Sequence, residues 1–153
     1  MFGNHTCILN QSILFMEIKD PGTVIGHVFL KDSFSQWLGI ELLEIKEGYS
    51  KIKMQVRQEM LNGLDVVHGG IAFSLADSAF AFACNSRNNL SLALETSISF
   101  LKPVFVNDIL FAEAKEIRNG KSTGVYLVEI KNQQEQLIGL FKGTCYRTGK
   151  SLI

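Results

Sequence analysis

Residues 69–86 read GGIAFSLADSAFAFACNS, and nearly every position in the stretch is apolar or small. Ile71, Ala72, Phe73, Leu75, Ala76, Ala79, Phe80, Ala81, Phe82, Ala83 and Cys84 leave almost no polar face. A helix of this kind has to be enclosed. At 1.5 Å per residue it would run about 27 Å, close to the width of a small domain, which makes it the central element.

The flanking sequence supplies the enclosure. Downstream, Leu92, Leu94, Thr96, Ile98 and Phe100 alternate with Ala93, Glu95, Ser97, Ser99 and Leu101 until Lys102-Pro103 ends the run. Leu110, Ala112 and Ala114 alternate with Phe111, Glu113 and Lys115; Asn119-Gly120 signals a tight turn before Tyr126, Val128 and Ile130; and a last run over 137–146 follows the polar turn 132–136. Upstream, residues 40–45 and 49–56 flank Lys46-Glu47-Gly48, and Ile52, Met54 and Val56 alternate with charged or polar neighbours, as in a hairpin with one solvated face. Before that, Val28, Leu30, Phe34, Trp37 and Leu38 recur at three- and four-residue spacings and are followed by Gly39, which predicts a short amphipathic helix over 28–38. Residues 1–27 are expected to form an irregular extension closed by the turn Asp20-Pro21-Gly22, leaving 28–148 as the folded domain. Strand runs without alternating helices exclude a doubly wound parallel sheet. The expected architecture is α+β, a curved antiparallel sheet wrapped around one long central helix.

Composition narrows the function classes. The chain has 153 residues, with 15 Lys and Arg against 15 Asp and Glu, so it lacks the basic footprint of a general nucleic-acid binder. Cys7, Cys84 and Cys145 are odd in number and form no C-x-x-C pair, which suggests neither a disulfide framework nor a zinc site and fits a reducing, cytoplasmic compartment. No Lys or Arg precedes Lys19 and the early apolar run is broken by Asn10, Gln11 and Ser12, so the start of the chain is a poor secretory signal. Residues 13–18 are too few to span a bilayer, and no membrane partner is expected.

Asp77 is the one charged side chain within 69–86. Moving an ionised carboxylate into a protein interior costs several kcal/mol, a large part of a domain's roughly 5–15 kcal/mol of stability. Either Asp77 hydrogen-bonds a neighbour such as Ser74 or Ser78 and fixes register, or it has a chemical use. His68-Gly69-Gly70 favours the use. Glycines at a helix start let another molecule approach the backbone, and the unpaired first-turn N–H groups attract developing negative charge. Gly69 and Asp77 lie eight positions apart, about 12 Å along one helix axis, so the two cannot reach one reacting carbon. A second copy across a two-fold axis could bring Asp77 of one subunit opposite Gly69 of the other, and a homodimer is therefore expected.

The segments Leu61-Asn62-Gly63, His68-Gly69-Gly70 and Ser74 to Ser86 closely resemble the PaaI-type acyl-CoA thioesterases of phenylacetate degradation, members of the hotdog-fold superfamily. The stretches 97–103, 120–126 and 139–143 are similar to that family as well, and the likeness runs from Val28 to Tyr146. It implies dimers that commonly pair into tetramers, and hydrolysis of acyl-CoA thioesters, with phenylacetyl-CoA and its ring-hydroxylated relatives favoured. It implies that Asp77 is the catalytic carboxylate, as general base or as nucleophile, and that the Gly69 backbone N–H polarises the thioester carbonyl. Asn62 and His68 match positions that orient the thioester or the water. Gly70, Phe80 and a polar residue on the strand after the helix (Thr96, Ser97 or Ser99) are the expected substrate contacts. Such chemistry calls for no metal or redox cofactor.

Other residues read more plainly. Cys84 on an apolar face without a histidine partner is expected to be core. Arg87, Lys102, Lys121, Lys142 and Arg147 are candidates for CoA phosphates. Gly120-Lys121-Ser122 lacks the glycine spacing of a phosphate loop and reads as a hairpin turn. A hotdog hydratase would need a differently placed histidine. A non-catalytic acyl-CoA-binding or regulatory protein is the stronger alternative.

Overall fold

A computed structural model describes residues 20–153. The described part opens with two short helices, α1 (Pro21–Phe29) and α2 (Ser33–Leu38). Residues 1–19 of the expected extension lie outside the described residues, but 21–27, expected to be irregular, are helical. Asp20 caps α1 by accepting from the Thr23 N–H at 3.0 Å, and Pro21 occupies the first helical position, where its missing N–H costs nothing. The single helix expected over 28–38 is likewise two pieces. Asp32 interrupts it and starts α2 afresh by accepting from the Ser35 N–H at 3.0 Å. Gly39 ends α2 in the left-handed conformation, φ 75°, as its position suggested. Val24 and Ile25 of α1 are fully buried, so the segment is part of the core.

Next come the hairpin β1 (Glu41–Lys46) and β2 (Tyr49–Gln55), a 3₁₀ turn at Gln58–Met60, and the long helix α3 (Gly69–Asn85). The remaining strands are β3 (Ser91–Phe100), β4 (Ile109–Asn119), β5 (Thr123–Lys131) and β6 (Leu137–Arg147). They form one six-stranded sheet in the order β1-β2-β4-β5-β6-β3, with every neighbouring pair antiparallel. This is the expected α+β architecture.

Alternation along the strands decides which side meets α3. Ile52 and Met54 of β2, Leu110, Ala112 and Ala114 of β4, Tyr126, Val128 and Ile130 of β5, and Phe141 and Cys145 of β6 are all buried beneath the helix. The helix answers with buried Ala72, Ala76, Ala79 and Ala83, whose spacing of four, three and four residues puts them on one face, where small side chains let the backbone approach the sheet. Gly143 shows how close that approach is. A Cβ there would sit 2.8 Å from the Phe80 ring, which fills the space over β6 and meets Tyr126 edge-on at 5.5 Å between ring centroids. β3 departs from the expected pattern. Leu92, Leu94 and Phe100 are more than half exposed, because β3 is an edge strand and a bulge between Ala93 and Glu95 breaks its alternation.

Candidate active site

The sheet and α2 leave one stripe of α3 uncovered. Gly70, Ser74, Asp77 and Ala81, at spacings of four, three and four, are half-buried while most of the helix is buried. Asp77 is in this stripe. Burial raises its carboxyl above the ordinary range, with no cation or hydrogen bond contributing. The alternative in which Ser74 or Ser78 satisfies it does not hold: the Ser78 hydroxyl lies 3.1 Å from that of Ser35 on α2, and Asp77 has no hydrogen-bond partner among the described residues. A half-buried carboxyl without partners can exchange a proton with whatever enters the stripe.

At the N-terminus of α3, His68 is the cap. Its Nδ1 accepts from the Gly70 N–H at 2.9 Å, which places the ring proton on the exposed Nε2 of the neutral imidazole. Ile71 donates to the His68 carbonyl at 2.9 Å. The Gly69 N–H is left without an acceptor among the described residues, on an exposed residue at the positive end of the helix dipole. The expected division of labour is thereby sharpened. Gly69 is a free donor, whereas Gly70, expected to contact substrate, has its N–H taken by His68.

Asn62 is also occupied. Its Oδ1 accepts from the N–H groups of Leu64 at 2.8 Å and Val66 at 3.3 Å, so it shapes the loop before α3. That loop and the segment 103–106 enclose an apolar groove of about 380 Å³ lined by Leu61, Val66, Val67, Val104, Phe105 and Val106. A smaller hollow of about 150 Å³ shares Val66, Val67, Pro103 and Val104 with it and reaches Gly69, Phe100 and Lys102. The sequence shows the groove only through the apolar residues Leu61, Val66 and Val67 before the helix.

On β3, Phe100 lies over Gly69, within 3.2 Å of where a Cβ would be, so alternation puts Ile98 and Thr96 on the helix-facing side and turns Ser97 and Ser99 away. Thr96 is the strand residue that shares the helix side, while Ser97 is exposed. Phe80, expected at the acyl group, is 1% exposed in the core and faces no groove. Among the candidate phosphate contacts, Arg87 and Arg147 both hold Glu116, at 2.8 and 2.9 Å, and are not free for a ligand. Lys102 lies at the groove. Lys121 is in the β4–β5 turn, and Lys142 lies 4.0 Å from Glu95. Cys84 is buried, and hydrogen bonding to Cys145 together with burial pushes its thiol up, as suits a core residue.

Residues 64–138 match the family model described as the thioesterase superfamily. An Archaeoglobus fulgidus protein described as a putative esterase is 47% identical over 127 residues, spanning 83% of this chain and 82% of its own. The Escherichia coli acyl-coenzyme A thioesterase PaaI is 42% identical over 82% of this chain and 89% of its own. The chain belongs to the thioesterase superfamily. As a thioesterase it is a thioester hydrolase, and its fold agrees with that of solved members. The E. coli PaaI structure superposes with a TM-score of 0.84 at 40% identity, covering 86% of this chain and 96% of that one. A Streptococcus mutans protein solved with acetyl CoA superposes with a TM-score of 0.70 at 26% identity, covering 73% of this chain and 90% of that one. Among the described residues, no helix is long and apolar enough to cross a membrane.

Proposed function

We propose that this thioesterase hydrolyses acyl-CoA to the free acid and CoA, with phenylacetyl-CoA, its ring-hydroxylated relatives or medium-chain acyl-CoA as substrates. The observation that carries this reading is the presence of an unpartnered, half-buried Asp77 and a free Gly69 N–H on the same helix. The acyl-CoA thioesterase description of the 42%-identical E. coli relative and the acetyl CoA bound by the S. mutans protein support the substrate class.

In the reaction, the thioester carbonyl points its oxygen at Gly69, where the N–H and the helix dipole take up the charge that develops on it. Asp77 acts as general base, removing a proton from water as its oxygen adds to the carbonyl carbon, or as nucleophile, forming an anhydride that water then opens. Collapse of the adduct breaks the C–S bond and releases the CoA thiolate, which takes up the proton. The apolar groove suits the pantetheine arm, and Lys102 at its end suits a CoA phosphate. His68 presents Nε2–H beside the same site, and Thr96 faces it from β3.

The site belongs to a homodimer, and pairs of dimers into a tetramer complete the assembly. Gly69 and Asp77 are about 12 Å apart on one continuous 17-residue helix, so each needs its counterpart from a second copy. The outer side of β3, with Leu92 and Leu94 exposed, is the edge at which that copy adds. Acyl-CoA as substrate and the free thiols of Cys84 and Cys145 support a cytoplasmic location.

The deciding assay is release of free CoA thiol from phenylacetyl-CoA by wild type and Asp77→Asn. Loss of the proton-transfer group is expected to lower kcat by about 10²-fold or more. Equal turnover by the two proteins would end the proposal.

A further inference from the structure

Asp77 is followed by Ser78, which turns toward α2 and is buried there, 8% exposed. Its Oγ is 3.1 Å from Oγ of the fully buried Ser35, and Ser35 Oγ is in turn 2.5 Å from Oδ2 of Asp32. Proton accounting gives this chain one direction. An ionised carboxylate can only accept, so Ser35 donates its proton to Asp32. Ser35 then has none left for Ser78, and its oxygen accepts the Ser78 hydroxyl proton. The order is Ser78 O–H to Ser35 O–H to Asp32.

At 100° per residue, Ser78 stands at the border of the open stripe formed by Gly70, Ser74, Asp77 and Ala81, on the side that α2 covers. The same Asp32 carboxylate caps α2 through the Ser35 N–H at 3.0 Å, so one side chain both starts α2 and anchors the hydroxyl chain. We infer that Asp32, Ser35 and Ser78 are positioning residues for the reaction: the hydroxyl chain clamps α2 to the rim of the stripe and sets the rotation of α3 that presents Asp77. The inference rests on the reading of Asp77 as the catalytic carboxylate. The clamp acts on geometry: at 100° per residue Ser78 adjoins the stripe on the Ser74 side and Asp77 stands at its far edge, so what α2 fixes is the rotation of α3.

The test compares Ser78→Ala and Ser35→Ala with Ser78→Thr, which keeps the hydroxyl, and with Ser86→Ala. Ser86, which caps the C-terminus of α3, is the control: its hydroxyl accepts from the Gly48 N–H at 2.8 Å, eight residues past Ser78 and away from the stripe. Two quantities are read, kcat and KM for acyl-CoA hydrolysis, and the titration of the Asp77 carboxyl carbon by NMR. The two alanine variants are expected to lose about tenfold in kcat at unchanged KM, as a displaced catalytic group does. A rotated α3 should also change the burial of Asp77 and so move its midpoint from the wild-type value. Ser78→Thr should retain both values. Ser86→Ala should lose thermal stability while keeping both. Wild-type kcat and titration in the alanine variants, the same losses in Ser86→Ala, or failure of Ser78→Thr to restore them would each overturn the inference. A wild-type protein that hydrolyses no acyl-CoA would end the functional reading alone, and the titration would still decide whether the clamp holds Asp77.

Discussion

Because burial raises the Asp77 carboxyl and nothing nearby offsets it, the folded chain holds that proton more tightly than the unfolded chain does. Ionisation therefore weakens folding: the penalty is absent below the ordinary carboxylate range, grows as pH rises through the gap between the unfolded and folded values, and is complete above the folded value. Asp77→Asn is expected to melt higher than wild type at pH 7 while losing activity, with the difference shrinking in acid; calorimetry at the two pH values checks this. Gly69 offers the complementary experiment. It is the first helical position and is preceded by His68 in an extended conformation, φ −63° and ψ 131°, both compatible with proline. A Cβ here meets the Phe100 ring at 3.2 Å, and that half-exposed ring can give way, so Gly69→Pro should keep the melting temperature within a few degrees, yet remove the free N–H and lower kcat by about 10²–10³-fold. Asp77 and Gly69 were legible in the sequence because a lone charge in an apolar helix, and glycines at its start, announce themselves without any fold. For Asn62, Gly70 and Phe80 the linear order does not reveal the hydrogen bonds and the burial that their neighbours in the fold impose.

At the scale of elements, the central helix and the strands after it followed from periodicity, since each strand except β3 keeps one buried face. The N-terminal region was less legible. Asp20-Pro21 and Asp32 are helix starts, but a turn and a cap share the same residues, and only the burial of Val24 and Ile25 separates the two readings. Alternation along β3 suggested an inward apolar row, whereas Leu94 is 63% exposed. That exposure has a testable meaning. Leu94→Lys removes little core packing, so the subunit should still fold. A charge on the proposed pairing edge should shift the protein to monomer in sedimentation, and activity should fall with the proposed dimer.

For the whole molecule, a polar cluster ties the sheet to the chain beyond α3. Glu116 on β4 accepts from Tyr126 at 2.7 Å, Arg87 at 2.8 Å and Arg147 at 2.9 Å. Burial pushes the Glu116 carboxyl up, but the hydrogen bonds and the two guanidinium groups outweigh it and hold the group below its ordinary range. With the folded value depressed, this stabilisation is complete above the ordinary carboxylate range and is lost as pH falls through the folded value. Arg147→Met leaves Arg87 and Tyr126 in place, so a loss of about 3 kcal/mol, the lower end for breaking a buried pair, is expected in urea unfolding at neutral pH. The loss should narrow in acid.

The helix that carries both the free amide and the free acid is too long for them to meet within one chain, and in the proposed dimer this makes inactivation divisible. Two dead proteins, Asp77→Asn and Gly69→Pro, each retain the half that the other lacks. Unfolded together and refolded as a mixture, about half of the pairs should be hybrids with one whole centre each, restoring about a quarter of wild-type turnover from parents that have almost none.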